Sequence, residues 1–267
     1  MQTVVAEDWG RLSYAEAWER QTAAHQALVA HKLANRDSPA GTLVQNHRLI
    51  LVEHPPVYTL GKSGKPEHLL LSESACREKG IDYFPINRGG DITFHGPGQL
   101  VVYPILDLEC FFTDVHRYVR NLEEVIIRTL ADFGLPGERI AGYTGVWIAE
   151  FGMRNAECTP AGPPEDAHSA FHIPHSAFAK LCAIGVHLSR WVTLHGLAFN
   201  VNTDLRYFDY IVPCGIRDED KSVTSLARLL GHDADMETVK RHVVRHFADV
   251  FQCDVTLPES AGSPFLT

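Results

Sequence analysis

RGGDITFHGPGQLVVYP, residues 88–104, sets an Arg, an Asp and a His among four glycines and two prolines. Glycine lets backbone N–H groups approach a ligand closely and adopts positive φ at little cost. Residues 91–94 and 100–106 read as strands. Between them, His95-Gly96-Pro97-Gly98 has the composition of a tight hairpin tip. Composition alone favours that hairpin over a ligand-binding loop.

Working outward, residues 48–53 (RLILVE) form an apolar run closed by Pro55-Pro56, and residues 57–60 read as a further strand ending at Gly61. Upstream, Ser13-Tyr14-Ala15-Glu16 is a capping box. Tyr14, Trp18, Gln21, His25 and Leu28 then recur at helical spacing. Downstream, Val115, Tyr118, Leu122, Val125, Ile126, Leu130 and Phe133 predict a helix, with Gly134 just past its end. Residues 145–149, 181–188, 191–194 and 197–201 are strand-like, and helices are predicted near 222–230 and 236–251. Residues 151–179 hold no clear period and read as a loop insertion. Consecutive strands without βαβ alternation imply an α/β fold of the α+β kind, a mixed, largely antiparallel sheet flanked by helices. The expected organisation is one domain over 1–267, with a core of about 43–230 and a helical tail over 231–267.

Hydrophobic residues make up 45% and charged residues 21% of the 267, enough for a sizeable core. The net charge of −9 makes nucleic acid a poor partner. No apolar run approaches the roughly 20 residues of a membrane span, and the N-terminus lacks a signal-peptide pattern, so a soluble cytoplasmic protein is expected. The six cysteines (76, 110, 158, 182, 214 and 253) include no C-x-x-C pair and read as thiols rather than a disulfide scaffold.

Chemistry concentrates in a few places. Lys180 opens the apolar run KLCAIG (residues 180–185), either as an edge lysine with its ammonium in water or as a desolvated lysine able to move protons. Strand alternation puts Cys182 on the same face as Lys180. His195-Gly196 separates two strand-like runs and reads as a polar turn. Cys214 lies between Pro213 and Gly215, in a turn more accessible than a strand. A nucleophilic thiol there needs a base, and Lys180, His95 or His195 are the candidates. His168, His172 and His175 with Cys158 match no zinc template, and HVVRH (residues 242–246) lacks the Glu of HExxH, so no metal is expected. No Walker loop and no GxGxxG follows a strand; GKSGK (residues 61–65) is too short.

RGGDITFHGPGQLVVYPI, KLCAIGVHLSRWVTLHGLAFNV and IVPCGI, in this order, resemble the lipoyl(octanoyl) transferases over residues of about 43–230. The resemblance implies the biotin/lipoate ligase-like fold. It implies transfer of an octanoyl group from acyl carrier protein to a lysine on lipoyl domains of 2-oxoacid dehydrogenase E2 subunits or on the glycine-cleavage H protein, without ATP or another cofactor. By resemblance, Cys214 is the acyl-thioester nucleophile and Lys180 activates it. The acyl pocket falls on Arg88, Gly89, Gly90, Asp91, Ile92, Thr93, Phe94, His95, Ala183, Ile184, Gly185, Gly196, Leu197 and Ala198. Two departures stand out. The 151–179 connection is long, and Asp91 stands where the family often has a neutral amide. The alternatives are an ATP-dependent lipoate–protein ligase of the same fold and a non-enzymatic acyl-binding domain. Because acyl carrier proteins are acidic, Lys62, Lys65 and Arg88 are expected to form a local basic surface.

Overall fold

A computed structural model of the chain describes residues 1–35, 46–149, 178–212 and 221–257. Its strands form two sheets. The larger runs in the order β10 (Lys221–Val223), β8 (Phe178–Ser189), β9 (Val192–Asn200), β6 (Gln99–Ile105), β2 (His47–Glu53), β1 (Gln2–Arg11), β11 (Cys253–Thr256), with β7 (Val146–Ala149) also paired to β8. The smaller runs β4 (Asp82–Pro85), β3 (Val57–Leu60), β5 (Ile92–His95). The centre of the large sheet is antiparallel, and its outer joins β10–β8, β2–β1 and β1–β11 are parallel.

Helices cover both faces of the large sheet. On one lies α1 (Tyr14–Ala34), whose cap Ser13 accepts a hydrogen bond from Glu16 N and whose buried residues Tyr14, Ala17, Gln21, His25 and Leu28 keep the helical spacing. It packs with Ile50, Val52, Val101, Tyr103, Leu194 and Ala198. On the other lie α3 (Val115–Asp132), capped by Asp114, and α5 (Met236–Phe251), over Leu49, Leu51, Leu100, Val102, Leu197 and Phe199. β6 is buried on both faces, which is why its sequence is apolar without alternation from Leu100 to Ile105. Two shorter helices, α2 (Glu73–Glu78) and α4 (Leu226–Leu230), complete the described set.

Several expectations change. The hairpin at 95–98 does not form: β5 pairs with β3 in the small sheet, and β6 pairs with β2 and β9 in the large one. Gly96-Pro97-Gly98 instead carries the chain from one sheet to the other. Gly98 takes φ +77°, and a Cβ there would sit 2.5 Å from Asn202 O. Gln99 ties the sheets together, donating from Nε2 to Phe94 O (3.0 Å) and to Asn200 Oδ1 (2.9 Å). His195-Gly196 is not a turn either, because β9 runs unbroken against β8 with Gly185 opposite Gly196. A Cβ on Gly196 would lie 2.0 Å from Val102 O, so glycine is the residue that lets β9 and β6 approach. Residues 221–223 are a strand and only 226–230 are helical. The tail is not wholly helical, since α5 is followed by β11, which pairs in parallel with β1. The 151–179 insertion lies outside the described residues except for its last two, which begin β8.

Candidate active site

The site is organised by an irregularity in β8. Val146 of β7 pairs with Cys182, but the next residue, Trp147, pairs with Lys180. Two residues of β8 therefore answer one step of β7, which is a β-bulge at Leu181–Cys182. Leu181 and Cys182 are both fully buried in the α3/α5 core. The side-chain alternation is reset, so Lys180 shares a face with Ala183 and Gly185 and not with Cys182. This corrects the expectation that Lys180 and Cys182 project together. Burial also pushes the Cys182 thiol far above its ordinary range.

On the Lys180 face lies a cavity of about 560 Å³, inside the range of roughly 300–1,000 Å³ usual for small-molecule sites. Arg88, Gly89, Gly90, Asp91, Ile92, Thr93 and His95 form one wall, and Ala183, Ile184, Gly185, Gly196, Leu197 and Ala198 another, with Lys180 among them. Of the residues expected there, Phe94 does not line it. Alternation along β5 turns its ring to the other side, where it stacks on Tyr207 at 4.6 Å between centroids. Tyr14, Ser63, Val101, Tyr103, Val119, Gly142, Tyr143, Thr144, Val186 and His195 also line the cavity. Periodicity had assigned Tyr14 to a helix face and Val101 and Tyr103 to a strand. Which elements would converge here had no local signal.

Hydrogen bonds and close packing hold each wall in place. Arg88 is buried and donates to Thr59 O (2.6 Å), Thr59 Oγ1 (3.0 Å) and Gly89 O (2.9 Å). Its side chain crosses Gly185, where a Cβ would stand 2.9 Å from Arg88 Cδ. Gly185 thus makes room for an arginine, while Ala183 and Ala198, opposite each other on β8 and β9, leave the floor low. His95 donates from Nδ1 to Gln99 Oε1 (2.8 Å), and His195 from Nε2 to Asn87 Oδ1 (2.8 Å). Burial lowers both histidines to about 3, so they stand neutral at physiological pH. His195 holds φ +62°, with its N–H donated to Gln21 Oε1 of α1. Burial likewise raises the Tyr14 and Tyr103 phenols, which stay protonated.

Lys180 stands between two strands, opposite Trp147 of β7 and Val223 of β10. Its Nζ lies 4.5 Å from the Trp147 ring centroid. The neighbouring wall is fastened by Glu123, fully buried on α3. Its Oε1 accepts from Gly145 N (3.0 Å), and its Oε2 takes Arg120 (2.7 Å) and Arg139 (3.0 Å). Cys214 and the histidine group at 168–175 lie outside the described residues. His242 and His246 meet Asp132 Oδ2 at 2.5 and 2.7 Å, and Arg245 ends on the same oxygen at 2.6 Å, a contact between α5 and the end of α3.

This architecture is that of lipoate-ligase catalytic domains. The bipartite lipoate protein ligase of Thermoplasma acidophilum matches with a TM-score of 0.61 at 16% identity, covering 96% of this chain and 86% of that one. A lipoate-protein ligase A crystallised with ATP matches with a TM-score of 0.60 at 14% identity, covering 96% and 88%. The chain belongs to the family of the lipoyl protein ligase A/B catalytic domain, whose model matches residues 13–248. It is 46% identical over 254 residues to an octanoyltransferase of Cytophaga hutchinsonii, spanning 95% of this chain and 94% of that one. It is 47% identical over 251 residues to an octanoyltransferase of Flavobacterium johnsoniae, spanning 93% and 97%.

Proposed function

We propose that the chain takes an octanoyl group from acyl carrier protein as a thioester on Cys214 and passes it to a lysine of an apo-lipoyl domain. That it is an acyltransferase of protein lipoylation rests on its family and on octanoyltransferases of 46% and 47% identity along nearly their whole length. The finer reading is carried by one observation: the bulge in β8 turns Lys180 into the cavity that the 88–95, 183–185 and 196–198 stretches line together.

The chemistry needs no activating cofactor, because the donor is already a thioester. The Cys214 thiolate attacks its carbonyl carbon, a C–S bond to Cys214 forms, and the carrier thiolate leaves and takes a proton. The acceptor lysine amine then attacks the enzyme thioester, an amide C–N bond forms, and the Cys214 thiolate leaves. Lys180 receives the proton first from the thiol and later from the attacking amine. Gly89 N already donates to Val186 O (2.9 Å), so the N–H groups of Gly90 and Asp91 in the glycine-rich wall are the candidate donors for the oxyanion. The acyl tail lies over Ala183, Ala198 and Val101. The acceptors are lipoyl domains of 2-oxoacid dehydrogenase E2 subunits and the glycine-cleavage H protein. Lys62 and Lys65 are exposed beside Ser63 at the cavity and suit an acidic carrier, whereas Arg88, expected with them, is buried with its guanidinium directed to Thr59 and Gly89. Reversing both to Glu is expected to raise KM for the carrier, more at low salt than at high salt. An unchanged low-salt KM would remove them from the docking surface.

The test is intact mass after incubation with octanoyl-acyl carrier protein. One octanoyl increment that is lost in Cys214→Ser supports the thioester. An increment that persists in Cys214→Ser refutes it.

A further inference from the structure

Asp91 brings a carboxylate into the glycine-rich wall, and the structure gives it a partner. It is 8% exposed and lines the cavity. Burying a carboxylate is unfavourable unless both oxygens find strong donors. Oδ1 accepts from Ile92 N at 2.7 Å. Oδ2 meets His68 Nδ1 at 2.5 Å. Gly64 permits this arrangement, because a Cβ there would sit 2.7 Å from Asp91 Oδ1. A neutral amide at position 91 would have no charge with which to strengthen the histidine bond.

His68 belongs to a different part of the fold. Its carbonyl accepts from Val212 N (2.8 Å), Leu69 bridges to Ile211, and Leu70 N donates to Tyr210 O (2.9 Å). The 68–70 segment is thus paired with 210–212, the last described residues before position 214. The His68–Asp91 contact is the polar side-chain link from that pairing to the cavity wall, beside the apolar cluster in which Leu69 and Ile211 pack with Ile92 and Phe94. The opposite end of the same region is held by apolar packing of Tyr207 and Phe208 on Phe94.

We infer that His68 is a positioning residue for the acyl-transfer site: it acts through Asp91, and their bond holds the 88–91 wall in register with the 210–212 segment. The inference rests on the acyl-transfer reading. It asks for no contact between His68 and substrate. Its effect belongs in the rate at saturation, because misplacing a wall of a catalytic site by about 1 Å costs up to roughly 100-fold in rate.

The experiment is a double-mutant cycle on the rate of octanoyl transfer to an apo-lipoyl domain at saturating donor, well below every variant's Tm so that folding is complete. His68→Ala and Asp91→Ala are each expected to lower kcat about 10-fold or more, with KM for the carrier changed far less. The double variant is expected to be no slower than the slower single one. His68→Asn, which can present an amide donor near the place of Nδ1, is expected to recover most of the rate, whereas His68→Phe is not. Independent, multiplying losses would overturn the inference. So would a lower Tm in His68→Ala with kcat intact, or equal rates for His68→Asn and His68→Phe. Because the cycle reads product rather than the enzyme adduct, a failure of the Cys214 thioester appears in the mass experiment and not here.

Discussion

Replacing Ala183 by Val probes the acyl slot directly. Ala183 sits on the cavity face opposite Ala198, and its exposure is to the cavity rather than to packed core. Counting across the bulge, Ala183 is two ladder steps from Lys180, about 7 Å along the strand at ~3.3 Å per residue. An extended octanoyl group measures about 8–9 Å from carbonyl to methyl on standard bond geometry. Its tail therefore passes over Ala183 when its carbonyl stands at the lysine. Valine suits a strand and adds two methyl groups to the floor. If they displace the last two methylenes of the chain, the loss is about 0.8 kcal/mol each, ~1.6 kcal/mol together. That is about 15-fold in kcat/KM for an octanoyl donor, and a hexanoyl donor loses little. The assay is transfer from octanoyl- and hexanoyl-acyl carrier protein to an apo-lipoyl domain, with Tm measured in parallel. Equal losses for both donors, or none for octanoyl, would refute the placement of the tail over Ala183.

Four further outcomes follow from the same geometry. An unassisted thiol with a pKa near 8.5 is only about 3% thiolate at pH 7; Lys180→Ala is therefore expected to slow alkylation of Cys214 by iodoacetamide up to about 30-fold at pH 7 and much less above pH 9, and superimposable pH profiles would mean that Lys180 does not activate the thiol. Lys180→Arg should rescue poorly, because guanidinium keeps charge but takes no proton. Cys182→Ala is expected to retain the octanoyl adduct, since Cys182 faces the opposite core; loss of the adduct in a folded variant would reassign the nucleophile. Burial holds His47 and His54 at about 4 and His95 and His195 at about 3 in the folded chain. These lie below the unfolded value near 6.5, so the unfolded state binds more protons between those limits and stability falls as pH drops through that window. Each such group contributes at most about 1.4 kcal/mol per pH unit, and a stability that stays flat from pH 6.5 to 4.5 would contradict their neutral burial.

Residue order alone was enough for the pieces that short-range physics controls. The capping box at Ser13, the helical periods of α1, α3 and α5, the apolar runs of β2, β3 and β6 and the glycine-rich wall at 88–91 were all legible, because each depends on residues a few positions apart. So was the list of chemically suited side chains, through motifs whose order resembles one family. Tertiary structure decided which of them meet. The 91–106 stretch looked like a hairpin because turn composition says nothing about sheet membership, and its two strands went to different sheets. Lys180 and Cys182 were expected on one face because alternation assumes an unbroken ladder. The bulge appears only once β7 pairs with β8, and it sends the cysteine into the core and the lysine into the cavity. Tyr14 and the His68–Asp91 contact had no local signature, since their partners lie far along the chain and are brought near only by packing.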